Sequence, residues 1–283
     1  MKAHYSTHGD DYMEKKDVSE KDVGNMTPRD FRRIVRAGGW TGHTKGGVCN
    51  GYAQMNMVIL PQEFAFEFLL YCHRNPRVFA VNDITDPGDP HPKKLAPEAD
   101  LRTDVPKYQV YKNGQLVDEP TDIKAYWRDD LVAFLTGCTL GHEWLLQTAN
   151  VRFRYIGSLI SNIQCVPAGR FGGPMVVGCR FVKGALEAIR AVQITSRNTA
   201  AHGAPVFIGD PAAIGIKDLH LNYKGDYLDF SPLESDEIPM FWGQGAGPQT
   251  REAIKESQLP LMITHKGGHM FISDKLTAEL AGQ

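Results

Sequence analysis

From Thr27 to Asn75 the chain sets a helix, a glycine-rich loop, a strand-like run and a second helix in immediate succession. Thr27 caps the first helix and Pro28 opens it. Phe31, Ile34 and Val35 lie on one side, and Gly38 and Gly39 end it. After "TGHTKGGVCNGY", the run "QMNMVIL" leads directly into "PQEFAFEFLLYCHRN", again opened by proline. Elements in that order must bury a strand against a helix, which predicts an α/β layer.

Later segments are read the same way. "DITDPGDPHPKKLAPEAD" has prolines and charges without periodicity and reads as a surface loop. "YQVYKNGQLVDE" is a hairpin, with Asn113 and Gly114 in a tight primed turn. "TDIKAYWRDDLVAFL" spaces Ile123, Trp127, Leu131 and Phe134 as an amphipathic helix, and another helix is expected through "HEWLLQTA". Strands are expected at "LISNIQCV" and "PMVVGCRFV", then a helix at "GALEAIRAVQITSRN". Strands at "PVFIGD", "PMFWGQ", "LPLMITH" and "HMFISD" follow, with a helix at "QTREAIKES". These two styles of alternation predict an α/β lobe of residues 1–104 plus 184–283, with 1–24 a flexible leader, and a two-layer α+β lobe of residues 105–183 inserted in it.

Size and charge narrow the function. A chain of 283 residues can bury a sizeable core, and a net charge of -2 gives no reason to expect nucleic acid or an anionic membrane as partner. The longest apolar runs are too short to span a bilayer, and the polar N-terminus lacks a secretory signal, so a cytoplasmic protein is expected. Five scattered cysteines without a CxxC argue for reduced thiols. A small-molecule ligand and a chain able to form a homo-oligomer are the partners left open.

Four stretches gather polar groups beside Gly or Pro: "TGHTKGGVCNGYAQ", "DLRTDVP", "HGAPVFIGDP" and "THKGGHMFISD". In the first, the glycine backbone can meet an anion while Thr41, Gly42, Asn50 and Gln54 line the loop. Neither the Walker spacing nor a dinucleotide fingerprint is present, so no nucleotide or flavin cofactor is expected. Arg102 and Asp104 share a face if extended, which sets a carboxylate clamp beside a base or orienting group, or a surface ion pair. His202 and Asp210 bracket a short strand, and His265 and His269 lie in a later loop. Such groups could form an acid–base set or hold a divalent cation, and the metal content stays open. Cys138 reads as a buried thiol, whereas Glu143, beside Trp144 in a first helical turn, reads as a cap or an acid.

The blocks "NGYAQMNMVILP", "DLRTDVPKYQVYKNGQL", "DIKAYWRDDLVAFLTGC", "HGAPVFIGDPAAIGIKDL", "MFWGQGAGPQ" and "ITHKGGHMFISD" resemble, in order from about Phe31 to Asp274, the D-glutamate cyclase family, also catalogued as hydro-lyases. The resemblance implies a three-layer αβα lobe with a smaller two-layer lobe, and dehydrating cyclisation of D-glutamate to 5-oxo-D-proline. The chain departs from the family pattern in its site-like loops. "CTLGHE" stands for the usual Cys-Ser-Phe-Ser-Phe-Glu, and "VVGCRF", retaining Arg180, for Val-Val-Ser-Met-Arg-Pro.

Such a reaction needs a cation for a carboxylate, donors for an oxyanion and groups that move protons. Arg102 or Arg180 fits the first role and the Thr41 to Gly51 backbone the second. His202, Asp210, Glu143, His269 and Asp104 are candidates for the third, with His265 added to the substrate-binding set. A hydro-lyase acting on another small carboxylic acid, or a binding protein without turnover, would need much the same residues.

Overall fold

The computed structural model describes residues 20–45, 47–218, 223–229, 231–245 and 257–281. The expected leader up to residue 19, Gly46 and most of the expected helix from Gln249 to Ser257 lie outside the described residues.

Helix α1 (Glu20–Val23) precedes α2 (Pro28–Arg36), where Thr27 Oγ1 accepts from Asp30 N as the cap residue should. Strand β1 (Tyr52–Pro61) is the axis of the first sheet, and α3 (Gln62–Arg74) follows it directly. The other strands of that sheet are β2 (Val81–Ile84), β3 (Tyr108–Lys112), β4 (Gln115–Asp118), β5 (Leu131–Gly137), β11 (Met262–His265) and β12 (Phe271–Leu276), in the order β2-β5-β1-β11-β3-β4. One edge of β1 pairs with β5 along its length. The other is shared, Val58 facing Thr264 of β11 and Gln54 facing Ile272 of β12.

The second sheet has the order β8-β10-β7-β6-β9. It is built from β6 (Phe153–Gln164), β7 (Pro174–Lys183), β8 (Phe207–Ile208), β9 (Tyr223–Leu228) and β10 (Glu237–Gly243). The strand pairs of both sheets are antiparallel, and with helices α4 (Thr139–Thr148), α5 (Gly184–Thr195) and α6 (Thr277–Leu280) they make an α/β protein.

Alternation of side chains stacks these sheets into layers. Val58 and Leu60 of β1, Val132 and Phe134 of β5 and the α3 ring of Phe68 meet Leu159, Val177, Cys179, Phe181 and Phe241 of the second sheet in one core. The opposite face of β1, through Met55, Met57 and Ile59, packs on Leu95, Leu101 and Val105. The outer face of the second sheet, with Val182, Met240 and Trp242, is covered by Leu146 of α4 and Ala188 and Ala191 of α5.

Three expectations are corrected. Leu131–Gly137 is a strand, not a helix: all seven residues are buried between β2 and β1, and a continuous apolar run satisfies a central strand as well as a helix face. The proline-rich segment before Asp104 is no surface loop, because Leu95, Ala96, Ala99 and Leu101 cover the first sheet. The segment 105–183 does not form one lobe of its own sheet. It supplies β3, β4 and β5 to the first sheet and β6 and β7 to the second, so boundaries at 105 and 183 cut across both. The Asn113–Gly114 turn is as expected, with both φ angles positive (49° and 77°).

Candidate active site

In β7, Val177, Cys179 and Phe181 face the core between the sheets, so Gly178 and Arg180 face the other way, toward Trp242. Arg180 is 1% exposed. Its Nη2 donates to Glu143 Oε1 at 2.5 Å, and its guanidinium lies over the rings of Tyr155 (5.0 Å) and Trp242 (5.5 Å). Nε and Nη1 are buried and have no hydrogen-bond partner among the described residues. A side chain at position 178 would press on Arg180 Nη1 and on Gln244 Oε1, itself buried and without a hydrogen-bond partner among the described residues, so glycine leaves room for both groups.

Helix α4 brings His142 and Glu143 to this point, with Glu143 as its fifth residue, just past the first turn in which the sequence reading set it. His142 Nε2 accepts the backbone N–H of His202 at 2.9 Å, and the two rings stack with centroids 5.9 Å apart. An accepting Nε2 makes His142 the Nδ1–H tautomer. His202 Nδ1 donates to the Arg77 carbonyl oxygen at 3.0 Å, which leaves Nε2 of His202 as a buried lone pair with no partner among the described residues. Burial holds His202 down to about 4 and His142 well below its usual range, with Arg180 adding to both, so each ring is neutral at pH 7. Burial also pushes the Tyr155 hydroxyl up to about 12 and the Cys138 thiol up to about 11, which leaves Cys138 protonated and a poor nucleophile.

The turn carrying His202 is fitted closely to β5. A Cβ at Gly137 would lie 2.1 Å from the Ala200 carbonyl oxygen. Asn56 of β1 donates to the Gly137 carbonyl oxygen at 2.6 Å and faces His265 Nε2 at 3.1 Å. Beside Glu143, a small cavity of about 70 Å³ is lined by Asn50, Gly51, Gln54 and Trp144; a wider groove of about 460 Å³ holds Trp40, Thr41, Gly42, His43 and Lys45.

The structure therefore brings together Glu143, Arg180 and His202, with Gln54 and Asn50 at the adjoining cavity and Thr41 and Gly42 in the groove. Other expected site residues have different work. Asp104 is buried in an ion pair with Arg36 (2.8 and 2.7 Å), near Arg32, and ties α2 to the sheet; Arg102 instead pairs with Asp100. The extended geometry that would align Arg102 with Asp104 is replaced by a turn, in which the Asp104 carboxylate accepts from Asp100 N. Asp210 is exposed and accepts from Ala212 N as the cap of a short 3-10 turn, so it does not partner His202. His269 packs on His43 with ring centroids 4.6 Å apart and hydrogen-bonds the Gly267 carbonyl oxygen; burial lowers its pKa. Among the described residues no three His, Cys, Asp or Glu side chains gather as a metal-binding group, and no helix is long and apolar enough to cross a membrane.

His142, Tyr155, Asn56 and Gln244 escaped the reading of the sequence. Only His142 left a signal there, as the residue directly before Glu143 in "GHE". The others join the site through strand register and the path of the chain after β10.

Comparison with known proteins supplies the lineage. A profile of the D-glutamate cyclase family matches residues 132–274. A relative from Bacillus licheniformis is 47% identical over 258 residues, covering 89% of this chain and 96% of its own. One from Bacillus subtilis is 45% identical over 263 residues, covering 90% and 99%. The chain belongs to the D-glutamate cyclase family. Both relatives are named provisionally as hydro-lyases, and with the family match they make this member a carbon–oxygen lyase. A solved nitrogen repressor-like protein from Methanococcus jannaschii aligns at a TM-score of 0.37 and 10% identity over 88% of this chain and 99% of that one, too distant a likeness to inform the site.

Proposed function

We propose that this protein removes water from a small carboxylic acid bound by Arg180, and that the acid is D-glutamate, cyclised to 5-oxo-D-proline. The observation that carries the reading is the Arg180 guanidinium, buried, committed to Glu143 through one nitrogen and open through Nε and Nη1. A planar fork of this kind suits a carboxylate, and its burial strengthens the attraction. The family and its hydro-lyase relatives support dehydration as the chemistry.

In the cyclisation, the amine nitrogen attacks the γ-carboxyl carbon, the C–N bond forms and a C–O bond breaks. Two protons leave the ammonium nitrogen, and both depart on one carboxyl oxygen as water. His202 Nε2, a neutral lone pair in a buried place, is the group suited to take a proton from nitrogen and return it to the leaving oxygen. His142 cannot lose its Nδ1 proton without becoming an imidazolate, so it serves as a hydrogen-bonding neighbour.

The test is NMR of the purified protein with D-glutamate, L-glutamate and a panel of small hydroxy and amino acids. Wild type should form 5-oxo-D-proline from D-glutamate, and Arg180→Met, with unaltered thermal unfolding, should be slower by about 100-fold or more. An alkene from another acid would replace D-glutamate as substrate. Silence across the panel with ligand-induced stabilisation would make the protein a binder and defeat the enzymatic reading.

A further inference from the structure

Strand β10 ends at Gly243, and the chain runs on with its backbone still tied to β7, the Gln244 N–H donating to the Val176 carbonyl oxygen at 2.9 Å. A glycine on either side of Gln244 lets this segment lie close to its neighbours. A Cβ at Gly243 would stand 2.1 Å from the Arg77 carbonyl oxygen, and one at Gly245 would stand 2.7 Å from Asn56 Nδ2. The Arg77 oxygen is also the acceptor of His202 Nδ1, so Gln244 follows directly on the residue packed against the anchor of His202. Its side chain reaches toward Arg180.

Gly178 of β7 leaves room for two atoms that would crowd a Cβ there, Gln244 Oε1 at 2.6 Å and Arg180 Nη1 at 3.3 Å. Each is buried and has no hydrogen-bond partner among the described residues, so the two do not bond each other. The guanidinium favours this orientation of the amide, because the reversed one would turn N–H groups toward a cation. An acceptor and a donor thus lie side by side, withdrawn from water and unmet. They suit a ligand that carries the opposite pair, and a ligand lacking one member leaves a buried polar atom unsatisfied.

We propose that Gln244 is a specificity-determining residue that selects α-amino acids, its Oε1 accepting an N–H of the amine while Arg180 holds the carboxylate. The role rests on the proposed reading of Arg180 as the carboxylate clamp. An amide oxygen is a suitable partner for an amine that must react. It takes one N–H, has no proton with which to occupy the nitrogen lone pair, and lacks the negative charge by which a carboxylate would hold the nitrogen as ammonium.

D-Norvaline and valerate test the role, since they differ only in the amino group and neither has a γ-carboxyl to cyclise. In NMR titrations wild type should bind D-norvaline about tenfold or more tighter than valerate, the effect of one buried hydrogen bond. Gln244→Met, similar in size and without the acceptor, should bind the two about equally, with valerate binding as in wild type. Gly178→Ala, whose methyl displaces Oε1, should also narrow the preference. Equal binding of both probes by wild type, or equal weakening of both in Gln244→Met, overturns the role of Gln244. Absence of binding by either probe, or undiminished valerate binding in Arg180→Met, overturns it together with the reading of Arg180. A preference that holds without 5-oxoproline forming from D-glutamate supports the role and counts against the cyclisation alone.

Discussion

Replacing Asp104 with alanine should cost about 3–5 kcal/mol of stability while leaving turnover per folded molecule unchanged. The carboxylate is buried and accepts from three residues, Arg36 through Nε (2.8 Å) and Nη2 (2.7 Å), Asp100 N (2.9 Å) and Thr103 Oγ1 (3.1 Å), with Arg32 as an ion-pair neighbour at 3.8 Å. Its hold on Arg36 is strong enough to raise that guanidinium above its ordinary value, chiefly through the side-chain hydrogen bond. Arg36 is 44% exposed and recovers much of its loss by hydration, so its share is small. The greater part comes from the Asp100 N–H and the Thr103 hydroxyl left unmet, and from Arg32, buried at 3%, losing one of its two carboxylate neighbours. Calorimetric unfolding should place the variant about 10 °C below wild type. Asp104→Asn, which keeps the shape and an acceptor for Asp100 N, should fall between. A loss under about 1 kcal/mol would refute the structural role; normal unfolding with abolished product formation would restore Asp104 to the chemistry.

Three further outcomes are expected. His202 and His142 protonate near the ordinary 6.5 in the unfolded chain, but burial holds the first down to about 4 and the second well below its usual range in the fold. Between those values the unfolded chain binds more protons, so stability falls as pH drops from about 6.5 to 4, with His202 alone contributing a loss of about 3 kcal/mol. Thermal unfolding from pH 8 to 4 should show this, with a shallower fall in His142→Phe; a flat wild-type profile would contradict it. Asp210→Ala should cost about 1 kcal/mol, the worth of a helix cap, with activity retained; a large loss of activity in the folded variant would return Asp210 to the catalytic set. Gly137→Ala forces a methyl to within 2.1 Å of the Ala200 carbonyl oxygen and 2.5 Å of Ala201 Cα. It should destabilise by about 1–3 kcal/mol or more and slow turnover by moving the His202 turn, and unchanged unfolding and rate would disprove the close fit.

The legible parts of the chain were those whose cause is local. Thr27 with Pro28 marks a helix start wherever it occurs, and Asn113–Gly114 suits a primed turn because both residues tolerate positive φ. Glu143 and His202 were legible as candidates because polar groups near glycine in otherwise apolar stretches stand out, whereas Arg180 entered only through the resemblance to the family. Leu131–Gly137 was misread because a wholly apolar run carries no period, and its place between β2 and β1 decides its form.

Asp104 and Asp210 show the limit for function. An aspartate has one chemistry in sequence and two uses in space: Asp104 was taken up by Arg36 of α2, 68 positions earlier, and Asp210 by a backbone N–H two residues on. The sequence by itself determined the local turns and caps, the α/β character and, through its resemblance, the family. Tertiary structure alone decided that His142 would hold His202 and that Asn56 would face His265. It also set Gln244 beside Arg180. The first two contacts join residues 60 and 209 positions apart, and only antiparallel register and the burial of both sheets against one core bring such residues together.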